Sequence, residues 1–365
     1  RMTRISDEVD AINLSQGFPD FPPPKAITDR LREVADEGPH QYSVTFGAEN
    51  FREALARKQG RAYGREINPD TEILVTCGGT EAMMSAMMTV CNPGDKVVVF
   101  SPFYENYGAD AILSGADPIF VPLVPPTFDF DRNVLEDAFR QHPKAIIVCN
   151  PSNPCGKVFT KEELLFIGGL CNKYDAYMIT DEVYEHINFS QQGHASVLAH
   201  PQLRERAVAV SSFGKTYHMT GWKVGYCVAP APISAEIRKV HQYLTFSVNT
   251  PAQLALADML RAEPAHYREL PHFYRERRDL FVAALSQSRL EILPSEGTYF
   301  LLADYSAISE LDDVSFCQWL TKEVGVAAIP LSVFCADPFP HKLIRLCFAK
   351  QESTLLAAAE RLNTL

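Results

Sequence analysis

No apolar run in this sequence approaches the ~18 residues that a membrane-spanning helix needs, and no signal-peptide pattern opens it. No block of basic residues offsets the net charge of -11, which argues against nucleic acid or an anionic membrane as a partner. The nine cysteines contain no Cys-x-x-Cys pair, and Cys77, Cys91, Cys149 and Cys347 sit in apolar patterns. They read as free buried thiols of a reducing compartment, so a cytoplasmic protein is expected. The ten histidines form no His-Glu-x-x-His pair, and no cysteine cluster joins them. Metal catalysis therefore finds no support. There is neither an internal repeat nor a low-complexity tract.

What is present is an ordinary globular composition, with 46% hydrophobic and 22% charged residues. At 365 residues the chain exceeds what one hydrophobic core usually serves, so one large and one smaller domain are expected. Apolar runs predict strands over Ile73–Thr76, Lys96–Phe100, Ile119–Leu123, Ala145–Cys149, Tyr177–Thr180, Ala207–Ser211 and Val224–Ala229. Helices are predicted between them over Thr80–Val90, Tyr104–Leu113, Asn133–Phe139 and Lys161–Lys173. Alternating strands and helices predict an α/β fold with a largely parallel, helix-covered sheet. Helices over Ala235–Leu244, Pro251–Leu260 and Tyr267–Leu285 lead to a second pattern. It has strands at Glu291–Leu293, Thr298–Ala303, Val326–Ile329 and Leu343–Phe348, one helix near Val314–Glu323, and a closing helix Glu352–Leu362. The expected division is a large domain over 38–260 and a small α/β domain over 1–37 and 261–365, with a cleft between them.

Three strand ends in the middle of the chain carry chemistry. Ser211-Ser212-Phe213-Gly214-Lys215-Thr216 sets one lysine between small residues just after an apolar strand. Desolvation there would lower the amine's pKa and make it a nucleophile toward a carbonyl, whereas the same window alone also suits a solvated loop lysine. Upstream, Thr180-Asp181-Glu182-Val183-Tyr184 ends a strand in a carboxylate with a phenol three residues on. Asn150-Pro151-Ser152-Asn153-Pro154-Cys155-Gly156 is a turn after another strand. In open α/β sheets ligands bind outside the carboxyl ends of the strands, so an amide, an acid with a phenol, and an amine reach one crevice. Pyridoxal phosphate needs that inventory: a carboxylate to keep its ring nitrogen protonated, neutral donors for its phenolate oxygen, and a lysine for its aldehyde.

On these residues the chain resembles the pyridoxal phosphate-dependent aminotransferases of fold type I, classes I and II. The likeness runs from Asn13-Leu14-Ser15-Gln16-Gly17-Phe18-Pro19-Asp20-Phe21 to Leu343-Ile344-Arg345-Leu346-Cys347-Phe348-Ala349. Within that family it is similar to the kynurenine and glutamine aminotransferase branch, and from about Asp181 onward to bacterial methionine aminotransferases. The resemblance implies the family's large domain with a mostly parallel seven-stranded sheet, and a homodimer with shared sites. The chain opens at Arg1, shortly before the Gln16-Gly17 motif; against the family this suggests a missing amino-terminal arm.

The resemblance also assigns roles. Lys215 would hold the cofactor and act as base, Asp181 would face the ring nitrogen, and Tyr184 and Asn153 the phenolate oxygen. The turn Cys77-Gly78-Gly79-Thr80-Glu81 opens a helix whose amides and dipole suit an anion, although such a turn is often only a tight connection. By resemblance Gly79 and Thr80 bind the phosphate, with Ser212 and Lys223 opposite. Lys223 departs from the arginine most often found there, so charge is kept, the two-pronged fork is lost, and weaker retention is expected. Tyr104 is expected to stack on the ring, worth ~1 kcal/mol beyond buried area, or else to be a core aromatic. Phe103 is the expected core member of that pair. Arg345 lies inside an apolar strand, where it needs an anion: a substrate carboxylate, or an internal acid. Gly17 would approach the same carboxylate. Tyr42 would reach the phosphate of the neighbouring subunit, and Phe246 would line the pocket across that interface. His218 and Met219 border the lysine without an assigned role.

The implied reaction is ping-pong transamination from an L-amino acid to a 2-oxo acid. Phe18, Tyr42, Tyr104 and Phe246 are large and uncharged, which favours methionine or an aromatic donor over a second carboxylate. The same residues leave three rival readings. Gly214-Lys215-Thr216 ends like a Walker A loop, but the required earlier glycine is Ala209. A DNA-binding regulator would need a helical module before Leu14. Cysteine-conjugate or cystathionine-type β-elimination uses the same residues and stays open.

Overall fold

The computed structural model describes residues 2–262 and 264–365. Arg1 and Glu263, both within the expected small domain, lie outside the described residues. At the centre is a seven-stranded sheet, in the spatial order Ile73–Thr76, Gly225–Val228, Ala207–Ser212, Tyr177–Asp181, Ala145–Cys149, Lys96–Ser101, Asp117–Pro122. Gly225–Val228 runs antiparallel to both neighbours and every other pairing is parallel.

The inner strands are mostly apolar because both faces are covered. Along them, alternate residues serve opposite layers. Val97, Val99, Ile147, Ile179, Val208 and Val210 pack with Ala82, Met83, Ala86 and Met87 of the helix Gly78–Val90. Val98, Ile146, Val148, Met178, Ala207 and Ala209 face Leu164, Ile167 and Leu170 of the helix Lys161–Tyr174 on the other side. That second helix starts at a reciprocal cap, in which Thr160 Oγ1 accepts from Glu163 N and Glu163 accepts from Thr160 N.

A four-stranded antiparallel sheet follows, in the order Ile329–Pro330, Leu343–Cys347, Phe300–Asp304, Glu291–Ile292. The amino-terminal strand Ile12–Asn13 pairs in parallel with Val326–Ala327. The predicted strand Val326–Ile329 is thus two strands in two sheets: the backbone leaves one partner at Ala328 and takes up another. The helix expected near Val314–Glu323 runs as Asp313–Trp319 and widens into a π turn over Leu320–Val324, which ends at Gly325 with φ +76°.

Other elements also differ from expectation. The predicted helix from Tyr104 begins at Asn106, leaving Tyr104 in the preceding turn. Phe103, expected in the core, is half-buried and stacks on Phe120 at 5.1 Å. Cys77 is only partly buried, and no two of the nine cysteines are bonded to each other. The helix Glu49–Tyr63 had no clear sequence signal, because its buried positions include Arg52, Lys58 and Gln59 among the apolar ones. Among the described residues no helix is long and apolar enough to cross a membrane.

Candidate active site

The carboxyl ends of the central strands open onto a cavity of about 270 Å³. Its wall contains Gly79, Thr80, Tyr104, Asn153, Asp181, Tyr184, Ser212, Lys215 and Lys223. The parallel register explains the meeting: Cys149 pairs with Asp181 and Asp181 with Val210, so three successive strands end at one level.

Lys215 sits on a single helical turn, Phe213–Thr216, whose first residues are held by Ser212 Oγ accepting from Gly214 N at 3.2 Å. Its ammonium lies 5.7 Å from the Tyr184 ring centre and 5.5 Å from that of Tyr299, and donates to the Gly17 carbonyl at 3.4 Å. Burial lowers its pKa to about 8. Asp181 opposes this shift, and the Arg345 and Lys223 charges add to it. Asp181 is buried, which pushes its carboxyl up. Tyr107 Oη, donating to Oδ2 at 2.7 Å, and the Val183 N–H, donating to Oδ1 at 3.1 Å, work against that shift. Burial also raises the phenols of Tyr184 and Tyr104 above their ordinary value, so both remain neutral donors at neutral pH.

One end of the cavity is built for an anion. The helix Gly78–Val90 starts without a side-chain cap, at Gly78 with φ +73°. Its first amides are therefore free of a capping oxygen. Gly225 lets the neighbouring strand press against this turn: a Cβ there would lie 2.6 Å from the Gly78 carbonyl carbon. Lys223 Nζ reaches Thr80 Oγ1 at 3.4 Å from the other side. With Ser212 alongside, this cradle fits a phosphate. The rest of the wall fits a pyridine ring with an acid, two neutral donors and an amine around it.

Arg345 answers one open question from the sequence. It is buried, and among the described residues no carboxylate lies within ion-pair distance of it. Its Nη1 donates to Asn153 Oδ1 at 2.6 Å, Nη2 to the Ser15 carbonyl at 3.5 Å, and Nε has no partner. The Phe300 and Phe334 rings flank the guanidinium at 3.9 and 4.6 Å.

Not every expected residue is in the cavity wall. Gly17 touches it only through its carbonyl, which also accepts from Tyr299 Oη at 2.6 Å; a Cβ at Gly17 would meet Phe300 at 2.8 Å. Phe18 is 43% exposed, with Lys350 donating to its carbonyl at 2.9 Å. Tyr42 and Phe246 contact each other edge to face at 5.1 Å on the surface, Tyr42 being 79% exposed. His218 turns away into an aromatic cluster, accepting from or donating to Tyr274 Oη at 3.0 Å and lying 4.7 Å from Phe21, and Met219 is buried outside the wall.

Sequence reasoning missed Tyr107, Cys149 and Thr220 in the wall, and Tyr299 behind Lys215. Tyr107 carried a usable signal, one helical turn beyond Tyr104. Cys149 ends the strand just before Asn150 and Thr220 lies five residues past Lys215, so both were also within local reach; only Tyr299 comes close through distant packing.

Comparison with known proteins fits this geometry. The family model for aminotransferase class I and II matches residues 9–362. The chain is 60% identical to a methionine aminotransferase of Escherichia coli, over 100% of its own length and 95% of the relative's. It is 35% identical to kynurenine–oxoglutarate transaminase 3 of Rattus norvegicus, covering 99% and 86%. A crystal structure of an Escherichia coli protein with a methionine aminotransferase function superposes with a TM-score of 0.98 at 61% identity, covering 100% and 95%. With a family model along almost its whole length and a strand-end lysine in a cavity of matching inventory, the chain belongs to the aminotransferases of class I and II.

Proposed function

We propose that this aminotransferase uses pyridoxal phosphate to move the amino group of a large neutral L-amino acid, methionine foremost, to a 2-oxo acid. The observation that carries the reading is the Lys215 amine, held at a pKa of about 8 in one cavity with Asp181, Asn153 and Tyr184. When bound, pyridoxal phosphate supplies an aldehyde carbon for the amino group and a ring that withdraws charge from the substrate α-carbon.

The protein's part is divided among named groups. Lys215 would hold the cofactor covalently and, once displaced by the amino donor, would carry the proton from the substrate α-carbon to the carbon that had been the cofactor's aldehyde. Asp181 keeps a proton at the pyridine nitrogen, and the neutral donors Tyr184 and Asn153 bind the phenolate oxygen. Gly79, Thr80, Ser212 and Lys223 bind the phosphate, and Tyr104 covers the ring. Arg345 takes the substrate carboxylate between its two prongs, with Gly17 alongside. Phe18 borders the side chain. In a homodimer, Tyr42 would reach the partner's phosphate and Phe246 its pocket, which gives two exposed aromatics a purpose. We place the cleft between a large domain over 38–260 and a small one built from the flanking segments, and the enzyme in the cytoplasm.

Methionine is favoured by the 60% identity to the Escherichia coli methionine aminotransferase and by the uncharged aromatics assigned to the pocket. An amino-donor panel on the holoprotein tests this. Methionine and aromatic amino acids should outpace aspartate, and a large preference for aspartate would overturn the substrate assignment.

A further inference from the structure

Behind the sheet, on the face away from the cavity, lies a buried charge that the reaction does not use. Glu185 follows Tyr184 directly, and its side chain is only 5% exposed. Its Oε1 accepts from Lys58 Nζ at 2.9 Å, Ser211 Oγ at 3.0 Å and Tyr226 Oη at 3.0 Å, and its Oε2 from Gln59 Nε2 at 3.4 Å. His186 stands 3.6 Å away. Burial is the largest single influence and would raise this carboxyl, but the Lys58 charge and hydrogen bond, with His186 and His194 nearby, together outweigh it and hold the group well below the usual carboxylate range.

The donors are what make this more than a core ion pair. Ser211 precedes Ser212, and Tyr226 follows Gly225, the residue against which the Gly78 turn rests. Glu185 itself is joined to Tyr184. Neighbouring residues of a strand point to opposite faces, so the Ser211 and Tyr226 bonds at the back are each one residue from Ser212 and Gly225 at the front. The carboxylate thus gathers three separate segments that each carry a piece of the cavity.

We propose that Glu185, neutralised by Lys58, is a positioning residue: its bonds to Ser211 and Tyr226 set the Tyr184 turn, the Ser212–Lys215 segment and the Gly225 strand in register for cofactor binding. The proposal rests on the pyridoxal phosphate reading only for its readout. An account in which the pair merely stabilises the core makes a different prediction, because then a folded variant without the two tethers would keep a normal site.

Removing Glu185 alone strands the Lys58 charge and threatens folding, so the test acts on the tethers. The double variant Ser211→Ala with Tyr226→Phe keeps the ion pair and nearly all the volume. Pyridoxal phosphate dissociation constants, the pH at which the bound lysine chromophore titrates, and kcat are compared with those of the wild type, alongside thermal melting. The expected result is a protein that still folds, with a lowered melting temperature, the dissociation constant raised and kcat lowered by about tenfold each. Lys58→Met with Glu185→Gln keeps an oxygen for both hydroxyls and should stay within about threefold of wild type. A folded Ser211→Ala, Tyr226→Phe protein with wild-type affinity, chromophore titration and kcat overturns the proposal. So does a Lys58→Met, Glu185→Gln protein that folds but is as impaired as the tether variant. If the wild type itself bound no pyridoxal phosphate, the functional reading would fail instead.

Discussion

Arg345 Nη1 donates to Asn153 Oδ1 at 2.6 Å, joining the antiparallel carboxy-terminal sheet to the turn that follows a central parallel strand. The bond leaves Nε unpartnered, so a buried cation outside the cavity wall, joined to it through Asn153, has bonding capacity to spare. A carboxylate is the group that would complete it.

Replacing Arg345 by Lys keeps the charge but loses the planar pair of donors. A hydrogen bond to a charged group contributes about 1.5–3 kcal/mol, which is about 10- to 100-fold in kcat/KM. Steady-state kinetics should show this loss for every amino donor alike, since the carboxylate is common to all. A variant impaired for methionine but normal for phenylalanine would place Arg345 elsewhere.

The pKa of Lys215, lowered to about 8, gives a pH prediction for the cofactor-free protein. Only the neutral amine attacks an aldehyde, so the rate of pyridoxal phosphate uptake should climb with pH and level off near 8 rather than near ~10.4, the value for an ordinary lysine. The sign for stability follows from proton counts. Between about 8 and ~10.4 the unfolded chain holds a proton that the folded one lacks, so this group's contribution to stability rises with pH across that window. Stopped-flow absorbance reads the uptake rate, and replacing Lys215 by Ala should abolish both the absorbance change and transamination.

Tyr107→Phe removes the 2.7 Å bond to Asp181 together with the hydroxyl's contact to Cys149. Burial already raises that carboxyl and the phenol opposes the rise, so the variant should hold a carboxyl that is harder to ionise. The acid limb of the kcat/KM profile should move toward higher pH by about one unit. An unchanged limb would show that Asp181 does not govern it.

Lys223 reaches Thr80 with a single ammonium. Lys223→Arg restores a fork that can grip phosphate with two parallel bonds, and the holoprotein should then lose pyridoxal phosphate more slowly on dilution, by roughly threefold to tenfold. Faster loss would mean that the left-handed backbone at this position, φ +55°, and the space beside Gly78 suit lysine alone.

The sequence by itself determined the central sheet and the gathering of Lys215, Asp181, Tyr184 and Asn153 around one cavity. The physical reason is local: unbroken apolar runs mark buried parallel strands, and the residues just past their carboxyl ends share one rim. Contacts between distant segments were decided only by the tertiary structure. Asn153 as the partner of Arg345, Tyr107 on Asp181, the division of Val326–Ile329 between two sheets, and the Lys58–Glu185 pair beneath Tyr184 all depend on packing across tens or hundreds of positions. No period in the sequence encodes such meetings, because a side chain's partner is set by how whole layers stack.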